Sequence, residues 1–283
     1  MSRLASGVLT LALGLAAFGA SGAAEENGMT AKLHPWGRFE PGTWKTVRVV
    51  TETFNEQGEV VSVSTTETKT ILQDIDRDGV TLDVEACMEV AGKRFQVEPQ
   101  TVKQGFHGEP IEPKPEIKES ADAPLTIEDR KIACKVQRLT SVGDKGKTTV
   151  VLHYSTTVPP YLFKRECVVT SPDGKSTLSE TNTEVIALDM PVPVQGEIRS
   201  GIYVKTVHKN SKTTLTTLAM IVPEVPGGVV RHSSKEVDKS GRLVRRSTLE
   251  LVDYNADPDK DRTGLFGRKR PNRRTKQSTR YGQ

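Results

Sequence analysis

The chain has 283 residues, a formal net charge of +4, and 35% hydrophobic but only 5% aromatic residues. This length allows one large domain or two smaller ones, with a core based on Val, Ile and Leu. Beyond the N-terminal apolar run no segment is long enough to cross a bilayer, which excludes a helical multi-span membrane protein.

The first 24 residues have the layout of a secretory signal. Arg3 supplies a positive start, residues 7–20 form an apolar run, and small residues precede Glu25. This pattern predicts cleavage near Ala23 or Ala24. A membrane anchor is the less favoured alternative because the run is short. We therefore expect an exported, soluble protein, periplasmic or extracellular.

A recurring β-hairpin unit organises the rest of the chain. Residues 222–254 (VPEVPGGVVRHSSKEVDKSGRLVRRSTLELVDY) contain a Pro-Gly-Gly strand end, a strand, a Lys-Ser-Gly turn and another strand. Residues 156–188 follow the same plan, and residues 39–71 follow it more loosely. The offset between the first two copies drifts from 65 residues (147 to 212) to 67 (173 to 240). This regularity favours duplication, although hairpin chemistry alone also places Gly and Pro at such turns.

The clearest strand is predicted over residues 79–90. Apolar residues at even positions from Val80 to Val90 alternate with mostly charged or polar ones, which is the period of a strand with one buried face. Residues 55–58 and Ala91-Gly92 have turn composition. We predict an all-β fold of antiparallel sheets built from repeated hairpins, forming curved sheets or incomplete barrels.

Composition also predicts the domain boundaries. A first β-block over residues 25–108 begins with a loose lead-in that ends near Glu40. Residues 109–123 are rich in Pro, Glu and Lys and are expected to form a linker or long loop without a strand ladder. The second β-block spans 124–256 and contains the internal repeat, and residues 257–283 are expected to be disordered.

The tail is strongly basic. Residues 260–283 contain nine Lys or Arg and one Asp, a net charge of +8, and leave the rest of the chain acidic. Such a tail is expected to contact an anionic envelope surface such as lipid head groups. A solubilising end without a partner is the alternative, and export disfavours nucleic acid.

One motif matches the calcium-loop pattern D-x-D-x-D-G-x5-E. It runs from Asp74 through Asp76, Asp78 and Gly79 to Glu85. A calcium site of this type needs flanking helices, whereas the neighbouring pattern predicts strands. We interpret the motif as an acidic turn between strands.

The three cysteines, Cys87, Cys134 and Cys167, leave at least one thiol unpaired. A simple meander would place a whole strand between Cys134 and Cys167, which disfavours a disulfide between them. Buried thiols are therefore the favoured interpretation.

The sequence contains no recognisable catalytic or cofactor motif. The histidines are scattered and lack metal-pair spacing: His34, His107, His153, His208 and His232. We predict no catalytic residues, no metal ligands and no cofactor, and the ligand-binding residues stay unknown. A catalytic site assembled from distant residues is the low-weight alternative.

The Pro-containing strand ends and Gly turns, as in Val225-Pro226 and Asp238-Lys-Ser-Gly241-Arg-Leu-Val, resemble those of the outer-membrane lipoprotein carrier and sorting-factor superfamily (LolA/LolB-like proteins). The resemblance covers mainly residues 124–254, with an echo at 40–71. It implies export and an incomplete antiparallel barrel that holds acyl chains. The chain also resembles the many uncharacterised exported bacterial proteins of this general build.

Two functions follow as hypotheses. The first is a non-enzymatic envelope protein that binds or carries a lipid or lipidated partner in an apolar concavity. The second is a structural or interaction module whose tail or exposed edge contacts another envelope component. They differ in whether the inward apolar face is empty or filled.

Overall fold

The computed structural model describes residues 29–106, 115–120, 122–143 and 146–258. Apart from one short 3-10 turn, Ala31–Leu33, every regular element in these residues is a β-strand. The strands are β1 (Trp44–Phe54), β2 (Val60–Asp76), β3 (Gly79–Val90), β4 (Lys93–Gln96), β5 (Gln100–Gln104), β6 (Glu116–Ser120), β7 (Leu125–Ile127), β8 (Arg130–Ile132), β9 (Lys135–Gly143), β10 (Gly146–Tyr154), β11 (Leu162–Thr170), β12 (Thr177–Val194), β13 (Glu197–Asn210), β14 (Thr213–Ile221), β15 (Val229–Asp238) and β16 (Leu243–Asn255).

Fourteen of these strands form one antiparallel sheet. Its order is β4-β3-β2-β1-β16-β15-β14-β13-β12-β11-β10-β9-β6, with β5 paired to β3. The two ends of this path do not pair with each other, so the sheet is open. The predicted all-β antiparallel fold is confirmed.

The pairing of β1 with β16 joins the two predicted β-blocks within one sheet. The register runs from Trp44 opposite Asn255 to Thr53 opposite Arg245. The predicted domain boundaries stay a prediction, because sheet continuity alone does not show how the chain divides into folding units.

The predicted strand over 79–90 matches β3 at both ends. Val80, Leu82, Val84 and Ala86 are buried on one face, while Glu85 is exposed on the other. At the predicted turn before it, the Asn55 side-chain oxygen accepts hydrogen bonds from the amides of Gln57 and Glu59, at 3.0 and 2.9 Å.

The three copies of the repeat correspond to three loop–hairpin units. Each has a Pro-containing connection followed by two paired strands: β1–β2, β11–β12 and β15–β16. Because β1, β11 and β15 run in the same direction through the antiparallel order, their preceding connections share one end of the sheet. We call this the loop end; it contains residues 40–43, 155–161 and 222–228.

The lead-in is packed, and the expectation that it is loose is wrong from residue 29 onward. Met29 and Leu33 pack with buried side chains of β9–β11, whereas Trp36 packs with Leu72 and Val80 of β2–β3. These strands lie near opposite ends of the sheet path. The segment therefore bridges the two margins of the open sheet.

Part of the predicted linker is a strand. Glu116–Ser120 pairs with β9 from Thr140 to Val136, so the expectation that this region holds no ladder is wrong there. The prolines of the region precede this stretch, and the strand lies at a sheet edge, where only one side needs partners. Residues 107–114 and Ala121 lie outside the described residues.

A row of hydroxyl side chains crosses the inward face. Seven residues on adjacent strands stand opposite one another in register: Ser64, Thr51, Ser247, Ser234, Thr217, Thr206 and Thr183. Ser234 and Ser247 share a hydrogen bond of 2.7 Å, and Thr183 and Thr206 share one of 3.1 Å. The inward face is therefore apolar toward the loop end and polar across its middle.

Candidate functional site

The inward apolar face is filled by side-chain packing. Leu72, Val80 and Leu152 have no exposed surface, and Leu139 and Phe163 keep 1%. A cavity of about 120 Å³ opens between residues 192–195 and strands β14–β16, and one of about 170 Å³ opens among residues 177–180 and 209–211. Both are below the 300–1,000 Å³ typical of ligand pockets. The packed face does not supply a preformed acyl site in the described residues.

The β7–β8 hairpin covers part of this face. It forms its own two-stranded sheet, and Ile127 and Ile132 pack against Phe163, Val185 and Ile202 of the main sheet. The hairpin therefore packs on the main sheet without joining its ladder.

Two polar contacts hold the tip of this hairpin. Glu128 Oε2 accepts a hydrogen bond of 2.9 Å from the Leu188 amide, and Arg130 pairs with Asp189. The ion pair is exposed and therefore weak. We call these two contacts the tip contacts.

The loop end gathers aromatic and cationic side chains around the lead-in. The Lys45 ammonium donates to the Val229 carbonyl at 3.2 Å and lies 5.6 Å from the Trp36 ring centroid. The Gly227 amide donates to the Pro35 carbonyl at 3.1 Å. A Cβ on Gly227 would lie 2.6 Å from Trp36 Nε1 and 3.0 Å from Lys45 Nζ, so glycine is required there.

Burial lowers the pKa of Lys45 to about 7. No carboxylate offsets this desolvation, because the cation meets an indole face and a backbone carbonyl. A shifted lysine of this kind marks a candidate functional position, although structural contacts shift lysines as well.

Arg38 is the second desolvated cation at the loop end. Its Cζ lies 5.7 Å from the ring centroids of Phe39 and of Tyr161. Burial lowers its pKa, while Tyr161 and Glu224 act in the opposite direction. The loop end therefore places cations over aromatic faces. Such contacts can anchor the lead-in to the sheet, and the cations can also bind anionic groups.

His232 is buried on the inward face between Leu249 and Ala219, its register partners. Both ring nitrogens lack a hydrogen-bond partner among the described residues. Burial lowers its pKa to about 4, so the ring is neutral at physiological pH. His208, another of the scattered histidines, shares a 2.8 Å hydrogen bond with Thr181.

The acidic motif forms a turn between β2 and β3, as predicted. Asp76 Oδ1 accepts from the amides of Asp78 and Gly79, and its Oδ2 lies 2.6 Å from Lys103 Nζ. Glu85 lies on the outward face of β3. Among the described residues no group of three His, Cys, Asp or Glu side chains is placed to hold a metal.

Two of the three cysteines are buried, and they lie in different core clusters. Cys134 packs beside the β7–β8 hairpin, whereas Cys167 lies on β11 in the cluster that holds Met29 and Leu33. Burial raises the pKa of the Cys134 thiol. Cys87 is half-buried on β3.

The described residues contain no helix that is both long and apolar enough to span a membrane. The predicted signal segment and the basic tail from Asp259 onward lie outside the described residues.

No protein-family model matches the chain, and no curated protein matches it. Among solved structures, a Bacteroides fragilis protein with a YmcC-like fold, named as an exported protein, matches with a TM-score of 0.33 and 10% identity, covering 77% of this chain and 97% of its own. A Parabacteroides distasonis protein named as a lipoprotein matches with a TM-score of 0.30 and 12% identity, covering 76% and 97%. Likeness at this level carries no argument about this chain, and the resemblance to lipoprotein carriers stays a prediction.

The sequence did not predict the packing of Trp36, Arg38 and Lys45 at the loop end. The aromatic anchor, Trp36, lies in the segment expected to be loose, yet Met29, Leu33 and Trp36 have the three- and four-residue spacing of one buried face. Lys45 gives no such signal, because an isolated lysine in a strand pattern is normally exposed.

Proposed function

We propose that this chain is an exported, non-enzymatic interaction module of the cell envelope. The sequence layout of residues 1–24 supports export. The filled inward face supports a binding role that uses the surface of the sheet and not its interior.

An exposed apolar stretch of edge strand carries the proposal. Val60, Val61 and Val63 keep 45%, 59% and 48% of their surface exposed. β3 pairs with β2 only from Ser64 onward, so residues 60–63 have a partner on one side alone. Such a strand accepts a further strand from a partner.

Two of the other free edges, β4 and β6, differ from this stretch. β4 has the sequence KRFQ and β6 has EIKES, and both are short and charged. Charged short edges resist pairing with other chains. The contrast favours residues 60–63 as the contact site.

The test replaces Val61 and Val63 by Thr, which keeps strand propensity but removes apolar surface. The parent protein is expected to retain an envelope partner on affinity purification that the double variant loses. A matched control carries Thr at Val142, which is also exposed but lies on β9. Retention of the same proteins by all three chains would contradict the proposal.

The basic tail offers a second contact. We propose that residues 260–283 hold the module at anionic lipid surfaces through their net charge. The mature chain is expected to bind anionic vesicles at low salt, and a chain ending at Asp259 is not. Equal binding of the two chains to the vesicles would show that the tail does not mediate membrane binding.

Carriage of a lipid or lipidated partner is the second candidate function. It is supported by the β7–β8 hairpin, which covers an apolar face while remaining outside the main ladder. Displacement of this hairpin would uncover Phe163, Val185 and Ile202. The two functions differ in whether the protein retains a lipid.

A further inference from the structure

Residues 29–39 of the lead-in, which we call the strap, contact two parts of the sheet that do not pair with each other. Met29 and Leu33 belong to the core cluster of β9–β11, and Trp36 belongs to the cluster of β2 and β3. All three side chains are buried. The strap therefore covers apolar side chains of both clusters and bridges the space between them.

Apolar packing, and not a ladder, holds the strap on the sheet. Among the described residues, the backbone of the strap shares one hydrogen bond with the rest of the chain, from the Gly227 amide to the Pro35 carbonyl at 3.1 Å. Within the strap, His34 Nδ1 accepts hydrogen bonds of 3.2 and 3.3 Å from the amides of Trp36 and Gly37. The strap thus keeps a turn of its own and needs little pairing from its surroundings.

Two cations lose water where the strap meets the loop end. Lys45 lies 5.6 Å from the Trp36 ring centroid, and burial lowers its pKa to about 7. Arg38, within the strap, has a buried Nε without a hydrogen-bond partner among the described residues. Water would solvate both groups if the strap left its seat. The seated strap therefore carries a desolvation cost that its release would recover.

We propose that the strap is a releasable cover whose departure opens an apolar groove between these two parts of the sheet. Release would expose Leu72, Val80 and Leu139, which keep at most 1% of their surface exposed in the closed state. The strap turns about residues 40–43, because the Gly42 amide stays bonded to the Leu72 carbonyl of β2 at 2.7 Å. The protein thereby controls when this apolar surface is accessible.

Hydrogen exchange at two neighbouring amides tests the release. The Gly227 amide is bonded to the strap, whereas the Gly228 amide donates to the Val225 carbonyl within the same loop at 2.8 Å. In the mature protein the protection factor of Gly227 is expected to be lower than that of Gly228 by about tenfold or more. Equal protection of the two amides would overturn the proposal, because the strap would then open only together with the loop.

Two tryptophan variants locate the cause. Trp36→Ala removes a strap anchor and is expected to lower the protection of Gly227 by a further factor of about ten, with Gly228 unchanged. Trp44→Ala is the matched control, because Trp44 lies outside the strap and contacts Lys69, whose Nζ is 4.7 Å from its ring centroid. This control is expected to change neither amide. Equal losses of Gly227 protection in both variants would overturn the proposal.

The Cys167 thiol tests whether the strap leaves as one unit. Cys167 belongs to the cluster of Met29 and Leu33 and not to the cluster of Trp36. Release of the whole strap predicts that Trp36→Ala accelerates maleimide labelling of Cys167 several-fold, while labelling of Cys134 stays as in the parent. Unchanged labelling of Cys167 would show that only the Trp36 end loosens, and equal acceleration of both thiols would show global destabilisation. Either result would overturn the proposal.

Discussion

Lys45 shows how a single desolvated charge opposes stability in this fold. Its folded pKa of about 7 lies below the ordinary value of 10.5. Between these values the unfolded chain binds a proton that the folded chain does not, so stability rises as the pH increases from about 7 to 10.5. At and below pH 7 the folded protein bears the full free-energy cost of desolvating the Lys45 ammonium.

Replacement of Lys45 by Met should therefore stabilise the protein at pH 7, by about 1–3 kcal/mol. Met keeps the apolar contact with Trp36 and removes the desolvated cation. Urea unfolding at pH 6.5 and pH 9.5 measures the effect, and the difference between parent and variant should shrink at the higher pH. A variant less stable than the parent at both pH values would show that the hydrogen bond to Val229 and the indole contact outweigh desolvation.

Gly227 gives a prediction with a control inside the chain. Its φ is +67°, and an added Cβ would meet Trp36 and Lys45. Gly241 has φ of +85° but no atom within 4 Å of its Cβ position. Gly241→Ala should cost about 1 kcal/mol from backbone strain alone, and Gly227→Ala should cost at least about 2 kcal/mol more. Equal losses in urea unfolding would mean that the lead-in does not pack on this loop.

Burial of neutral His232 is expected to cause part of the loss of folding stability at acid pH. Its pKa of about 4 lies below the ordinary value of 6.5, so the unfolded chain binds the proton first as the pH falls. Stability is lost from about pH 6.5 down to pH 4, by at most about 3 kcal/mol. His232→Leu should reduce the dependence of the midpoint of thermal unfolding on pH between pH 7 and pH 4. An unchanged slope would show that other groups carry the acid dependence.

At the scale of elements, alternation predicted the strands well because one face of the sheet is buried and the other is solvated. β3 follows its pattern from Val80 to Ala86, and the turn at Asn55 follows local side-chain chemistry. The short strand β6 could not be predicted in the same way, since its partner β9 supplies the pairing that its own sequence does not demand.

The β7–β8 hairpin is expected to open more readily than the main sheet. The native thiols report this motion, because Cys134 is buried beside the hairpin and Cys167 lies in a different cluster. Replacing Glu128 by Ala and Arg130 by Ala removes the tip contacts. Maleimide labelling of Cys134 should then accelerate several-fold, while labelling of Cys167 should not change.

Labelling of both thiols at the same faster rate would indicate global destabilisation and not a local opening. Unchanged labelling of Cys134 would mean that apolar packing alone holds the hairpin.

At the scale of the whole molecule, the sequence predicts the hairpins but does not predict that they join into one open sheet. The pairing of β1 with β16 joins residues about 200 positions apart, and nothing local in either strand specifies the other. The hydroxyl row has the same origin. Each Ser or Thr is an ordinary strand residue in its own segment, and only the register places seven of them side by side.

A filled inward face leaves no room for a bound lipid, and a search for retained lipid tests this most directly. The mature protein, purified from its own envelope without detergent, would be measured by native mass spectrometry before and after lipid extraction. We predict one mass, equal to that of the polypeptide, in both samples. A stoichiometric adduct that disappears on extraction would contradict the interaction-module account and establish the carrier function instead.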